Sequence, residues 1–318
     1  MGRSTPPRGL IVDLVTPFKE NGEIDGRGLG LHLDRILPLV HAVWIASPYS
    51  GEGLNLSAGQ REDLLDKCLV VIRGQMPILV WVTGQTEDQT KQHLLLLQKR
   101  VEGRKYGGPV FWVDTPLLYH SNRGLHLHYR NLVSLAKGPW LLHNDPELVM
   151  RLGQSFKRNN IRTAILKNLS GIEQIQGLVF LGSLERASHF QKAVRKRPGF
   201  RIYDGDESHF LKYPSMSGVV SSGANLAPRA WRKVTDASLN MSVDRHDYPD
   251  RLQQLWETGA YLQSLLELYR PLPAPTIKAA LSQMGIIESP GCALKGEDQG
   301  TVARSIIAEM KHRGDLPQ

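Results

Sequence analysis

The sequence predicts a closed parallel (β/α)8 barrel, the TIM-barrel class of α/β fold, with a C-terminal helical extension. Three observations carry this. Short apolar runs alternate with amphipathic segments eight times before residue 236, the rhythm of a barrel wrapped by helices. The runs are continuously apolar rather than alternating, as strands buried on both faces require. Neither a Gly-x-Gly-x-x-Gly nor a P-loop follows the early runs, so a doubly wound open sheet lacks its usual support. The division is expected at 1–236 for the barrel and 237–318 for the helical region.

The strand candidates are 9–16 (closed by Pro17), 41–46, 77–82, 109–113, 139–142, 162–166, 200–203 and 217–220. Between them, 26–39, 58–72, 86–104, 123–136 and 146–157 read as helices, as do the shorter 173–181, 207–212 and 228–234. The segment 58–72 is the clearest. Ser57 stands ready to cap it, and Leu64, Leu65, Cys68, Leu69 and Ile72 form one stripe. Strand signals stop at 237, and 248–269, 275–284 and 301–312 read as helices, with Pro271, Pro273 and Pro275 separating the first two.

With 318 residues, 41% hydrophobic and 22% charged, the chain suits a globular protein with a substantial core. The net charge of +8 is scattered. Its densest basic runs, Lys99-Arg100, Arg104-Lys105 and 192–197, read as solvated helix ends or loops rather than a nucleic-acid-binding face. Two distant cysteines, Cys68 and Cys292, offer neither a disulfide framework nor a metal-site spacing. No run of 18 apolar residues is present, so no membrane partner is expected and a reducing cytoplasm is the default compartment.

Barrel chemistry sits at the C-terminal ends of the strands. After the second strand, Ser47-Pro48-Tyr49-Ser50-Gly51-Glu52-Gly53 offers hydroxyls and backbone N–H groups that suit a carboxylate; the alternative is an ordinary turn. After the fifth comes His143-Asn144-Asp145-Pro146. There His143 is either a proton carrier or structural, and Asn144 or Asp145 can cap the next helix. Lys167 ends the sixth run. Pointing inward it would be a desolvated amine able to form a Schiff base; pointing outward it would merely snorkel. The segment 204–207 follows the seventh run, and 218–225, including Val220, surrounds the end of the eighth. His120, His126 and His128 cluster without a tight zinc spacing, and a surface helix explains them as well.

In order, these pieces resemble the dihydrodipicolinate synthase and N-acetylneuraminate lyase family. The resemblance runs from Gly9 to about Pro228 and weakly beyond. Val15-Thr16-Pro17-Phe18 with 22–25 resembles the family's opening, and Ser50-Gly51-Glu52-Gly53 the end of its Gly-Thr-Thr-Gly-Glu segment. Lys167 stands for its Schiff-base lysine, and 204–207 and 218–225 match two further landmarks. The resemblance implies a class I aldolase-type lyase that binds pyruvate or another 2-oxo acid covalently. It implies no metal and no cofactor, the iminium serving as electron sink, and a homodimer or homotetramer.

The departures fall on the chemistry. The family's Tyr-Asn-Val-Pro becomes 143–146, so His143 replaces the proton-relaying tyrosine. Its two threonines become Tyr49 and Ser50, and its arginine two residues after the motif's proline becomes Leu148. Its aromatic pair reads Leu117-Leu118-Tyr119. The expected site is therefore Lys167 as nucleophile, His143 and Tyr49 as proton carriers, and Ser50, Gly51, Val220 and Tyr119 around the substrate. True dihydrodipicolinate synthesis is not expected. The alternatives are a keto-deoxy sugar acid dehydratase, which shares the enamine, and a barrel kept for ligand binding or regulation.

Overall fold

The computed structural model describes residues 5–152, 158–214, 216–241, 248–294 and 297–316. Eight parallel strands close in sequence order: β1 (Gly9–Asp13), β2 (Ala42–Ile45), β3 (Ile78–Trp81), β4 (Val110–Asp114), β5 (Trp140–Asn144), β6 (Ile175–Phe180), β7 (Arg201–Asp204) and β8 (Gly218–Ser221). β8 returns to β1 with Gly9 opposite Gly218. A Cβ on Gly218 would lie 1.9 Å from the Gly9 carbonyl oxygen, so the seam requires a glycine there.

The helices between strands are α1 (Gly26–Ile36), α2 (Ala58–Ile72), α3 (Glu87–Gly103), α4 (Leu125–Leu132), α5 (Pro146–Leu152), α6 (Thr163–Leu169), α7 (Leu184–Val194) and α8 (Glu207–Lys212). After β8 come α9 (Pro228–Ser238), α10 (Tyr248–Tyr269), α11 (Pro273–Gln283) and α12 (Gly300–His312). Local chemistry fixes several starts. Asp25 caps α1 through the Gly28 N–H, and Ser57 and Gln60 form a reciprocal capping box on α2. Asp206 caps α8 through the N–H groups of Ser208 and His209.

Two cores result. The larger lies between the strands and the surrounding helices. The smaller fills the barrel with Ile11, Trp44, Trp81, Phe111, Leu141, Val179, Tyr203 and Val220 among its members. At the side of the barrel, Lys278 on α11 is fully buried and bonds Glu52 Oε2 at 2.6 Å, while Ala293 N–H donates to the other Glu52 oxygen at 2.7 Å. This buried pair ties the loop after β2 to the C-terminal helices.

The sixth strand requires a correction. Residues 162–166 are not a strand: Arg162 is the N-cap and 163–166 open α6, with Leu166 and Leu169 buried one helical turn apart. Residues 173–181 are not a helix but contain β6. Short apolar runs do not separate the two periodicities, and the glycine inside 175–180 hid the strand. Gly177 is needed there: a Cβ would meet the Arg201 carbonyl oxygen at 2.7 Å. The helix α7 was not anticipated, and the 153–157 part of the expected fifth helix lies outside the described residues.

Lys167 moves with this correction. It does not end a barrel strand. It is exposed on α6, in a groove shared with His189, Lys192 and Lys196 of α7 and the turn after it. No helix among the described residues is long and apolar enough to cross a membrane.

Candidate functional site

The C-terminal end of the barrel brings together Asp13, Trp44, Ser47, Ser50, His143 and Ser222. Strand alternation fixes the direction of most. Ile11 belongs to the interior, so Asp13, two residues on, faces inward as well. Asp13 is in register with Trp44 on β2, another interior residue. His143 is in register with Val179, and Val179 with Tyr203.

On the β1–β2–β8 side the site is polar. Asp13 is 5% exposed. Ser47, Ser50 and Ser222 surround its carboxylate and, with the Ser50 backbone N–H, favour its charged form. Ser222 Oγ donates to Oδ2 at 3.3 Å, and Ser50 Oγ donates to Ser222 Oγ at 2.6 Å. Oδ1 is buried without a hydrogen-bond partner. Burial outweighs these hydrogen bonds and raises the Asp13 pKa to about 6. Behind this group, Glu207 accepts from Ser221 Oγ at 2.5 Å, Gly223 N–H at 2.8 Å and Tyr269 Oη at 3.0 Å. Burial raises its pKa to about 7, with the Asp13 charge adding to the shift.

The β3–β6 side is dry. His143 is 2% exposed, and its ring meets Trp44 edge-on at 5.2 Å. Thr115 Oγ1 accepts from Trp81 Nε1 at 2.9 Å and shares a 2.8 Å bond with His143 Nδ1. Burial lowers the His143 pKa to about 4, which keeps the imidazole neutral near pH 7. The Trp44 indole N–H is buried without a partner.

The remaining expected residues divide. Ser50 and Val220 lie in the barrel mouth and wall. Gly51 shapes the turn, but its N–H is taken by Ser47 Oγ at 2.9 Å. Tyr49 Oη donates to Asp145 Oδ2 at 2.5 Å, and Asp145 Oδ1 caps α5 through Leu148 N–H, so the phenol braces a helix start. Tyr119 donates to Asp114 Oδ2 at 2.7 Å beside Tyr129, and Asp114 is linked to His143 only through Thr83 and Thr115. The histidine cluster gains a carboxylate from α3: Glu87, His120 and His128 hold donor atoms within 4.8 Å of one another.

No lysine lies on β6, which reads Ile-Gln-Gly-Leu-Val-Phe. Val179 occupies the interior position level with His143 and Tyr203. Lys278, the one buried lysine among the described residues, is committed to Glu52. Asp13, Trp44, Thr115 and Ser222 were missed as individual site residues. For Asp13 a signal existed: a carboxylate inside the apolar run of the first strand.

The dihydrodipicolinate synthetase family matches residues 6–295. The chain belongs to that family. A 4-hydroxy-tetrahydrodipicolinate synthase of Chelativorans sp. (strain BNC1) is 25% identical over 97% of this chain and 99% of its own length. One from Archaeoglobus fulgidus is 26% identical over 87% of this chain and 88% of its own. Among solved structures, dihydrodipicolinate synthase from Aquifex aeolicus matches with a TM-score of 0.78 at 19% identity, covering 98% of this chain and 99% of that one. YagE from E. coli K12, solved in complex with pyruvate, matches with a TM-score of 0.77 at 17% identity, covering 97% and 99%. Family and fold together support lyase- or aldolase-type chemistry as the general class.

Proposed function

We propose that this family member binds a small polar metabolite at the barrel mouth without forming a lysine imine. The observation that carries the reading is Val179 on β6, level with His143, in a barrel interior whose described residues include no lysine. An imine needs an amine beside the substrate carbonyl. Lys167 stands outside the barrel wall and Lys278 is held by Glu52. The proton-relaying tyrosine expected from the family resemblance is here a histidine whose burial keeps it neutral. These facts favour the ligand-binding alternative over the 2-oxo acid aldolase and over the enamine-based dehydratase.

The experiment pairs binding with turnover. Small metabolites are screened by ligand-observed NMR, and the same protein is assayed with a panel of 2-oxo acids and aldehydes. The reading expects at least one saturable ligand, lost in His143→Phe, and no carbon–carbon bond formation or cleavage. Turnover of any 2-oxo acid that survives Lys167→Ala and Lys278→Met would favour a lyase using other groups. Turnover abolished by Lys167→Ala would overturn the reading.

A further inference from the structure

The charge preference of the mouth can be read one step further, resting on the imine-free reading. A hydroxyl set and a backbone N–H converging on one point form a seat for a carboxylate. Ser47, Ser50, Ser222 and the Ser50 N–H make such a seat, but the carboxylate they face is the protein's own Asp13. A ligand carboxylate approaching it would meet a like charge in a low-dielectric surrounding, which disfavours its binding.

Two polar atoms are left over at this place. Asp13 Oδ1 is an acceptor with no donor, and Trp44 Nε1–H is a donor with no acceptor. Their residues are adjacent in register on β1 and β2, and both are buried in the barrel. A buried polar atom without a partner is destabilising, and a ligand supplying the missing partner relieves that cost.

We propose that the mouth takes a small ligand presenting an ammonium to Asp13 and a neighbouring oxygen acceptor to Trp44, and that Asp13 turns monocarboxylates away. The recognised group is a vicinal amino-alcohol or amino-carbonyl.

Two probes of nearly equal shape test it. 1-Amino-2-propanol and lactate share a carbon skeleton and a hydroxyl, and differ in carrying an ammonium or a carboxylate. Dissociation constants are measured by NMR titration at pH 8 for wild type, Asp13→Asn and Asp13→Ala, with sodium chloride held constant. Wild type should bind 1-amino-2-propanol at least about tenfold more tightly than lactate. Asp13→Asn, which keeps the shape, should bring the two within about threefold. Asp13→Ala, which frees the serine donors, should favour lactate. Trp44→Phe should weaken the amino-alcohol in wild type.

Equal affinities in wild type, a preference for lactate, or no saturable binding of either probe would overturn the inference. Folding of each variant is checked by circular dichroism, and Asp13→Asn alone suffices if Asp13→Ala fails to fold. Borohydride reduction with pyruvate is run in parallel. A covalent adduct would overturn the imine-free reading itself, whereas lactate preference without an adduct would overturn only the charge assignment.

Discussion

The two sides of the barrel mouth differ in kind. The β1–β2–β8 side holds two buried carboxylates, Asp13 and Glu207, each met by hydroxyls and backbone N–H groups. The β3–β6 side holds His143 and Thr115, hydrogen-bonded to each other, beside Trp81, Leu141 and Val179. The first keeps a hydrogen-bonding scaffold able to position a polar group. The second is where an imine-forming enzyme would need an amine, and here it presents a valine and a neutral imidazole. A fold can retain its binding apparatus while the reacting group changes, because the two are supplied by different strands.

Substitutions on each side distinguish the two. The largest effect is expected where the scaffold is anchored. Lys278→Met leaves Glu52 as an unpaired buried carboxylate and should cost about 3–5 kcal/mol, measured by urea unfolding. A loss below about 1 kcal/mol would mean that Glu52 reaches solvent and that the anchor is weak.

Next comes Asp13→Asn, read as a function of pH. Asp13 titrates near 3.8 when unfolded and near 6 in the fold. The native state therefore binds more protons between those values, and the stabilisation present below about 4 is lost as pH rises through about 6. The neutral amide has no such loss. Asp13→Asn should match wild type near pH 4 and exceed it by on the order of 2–3 kcal/mol above pH 7. Coincident stability differences at all pH values would show that Asp13 ionises normally.

His143 sharpens the opposite side. Its folded pKa is lowered to about 4, so its contribution is present above its unfolded value of 6.5 and fades as pH falls toward 4. Imidazole NMR shifts should stay those of the neutral ring from pH 8 to pH 5. A midpoint above 6 would contradict the dry environment.

Tyr49→Phe removes the donor to Asp145 and should cost about 1 kcal/mol without changing ligand affinity more than about twofold. The smallest effect belongs to Lys167→Ala, an exposed change on α6 worth less than about 0.5 kcal/mol and neutral for binding.

The misplacement of Lys167 shows where the sequence stops being readable. Seven strands announced themselves as apolar runs near their true positions, and Ser57 marked the start of α2. The sixth did not, because 162–166 and 175–180 are equally short and Gly177 breaks the latter. That glycine is dictated by the Arg201 carbonyl oxygen on β7, a contact outside the local pattern. One exchanged element carried a lysine from the outer wall into the expected active site. The placement of His143, Ser50 and Val220 at the barrel end was legible because they follow or lie on correctly placed strands. Asp13 was legible as a charge in an apolar strand, but the serines around it come from β2 and β8 and meet only in the closed barrel.

The decisive experiment is intact-mass spectrometry after incubation with pyruvate and borohydride, followed by peptide mapping. Wild type is compared with Val179→Lys, which places an amine on β6. The account predicts no adduct on wild type and, where the variant folds, a pyruvate-sized adduct at residue 179. An adduct on wild type at Lys167 or Lys278 would contradict it, whatever the variant does.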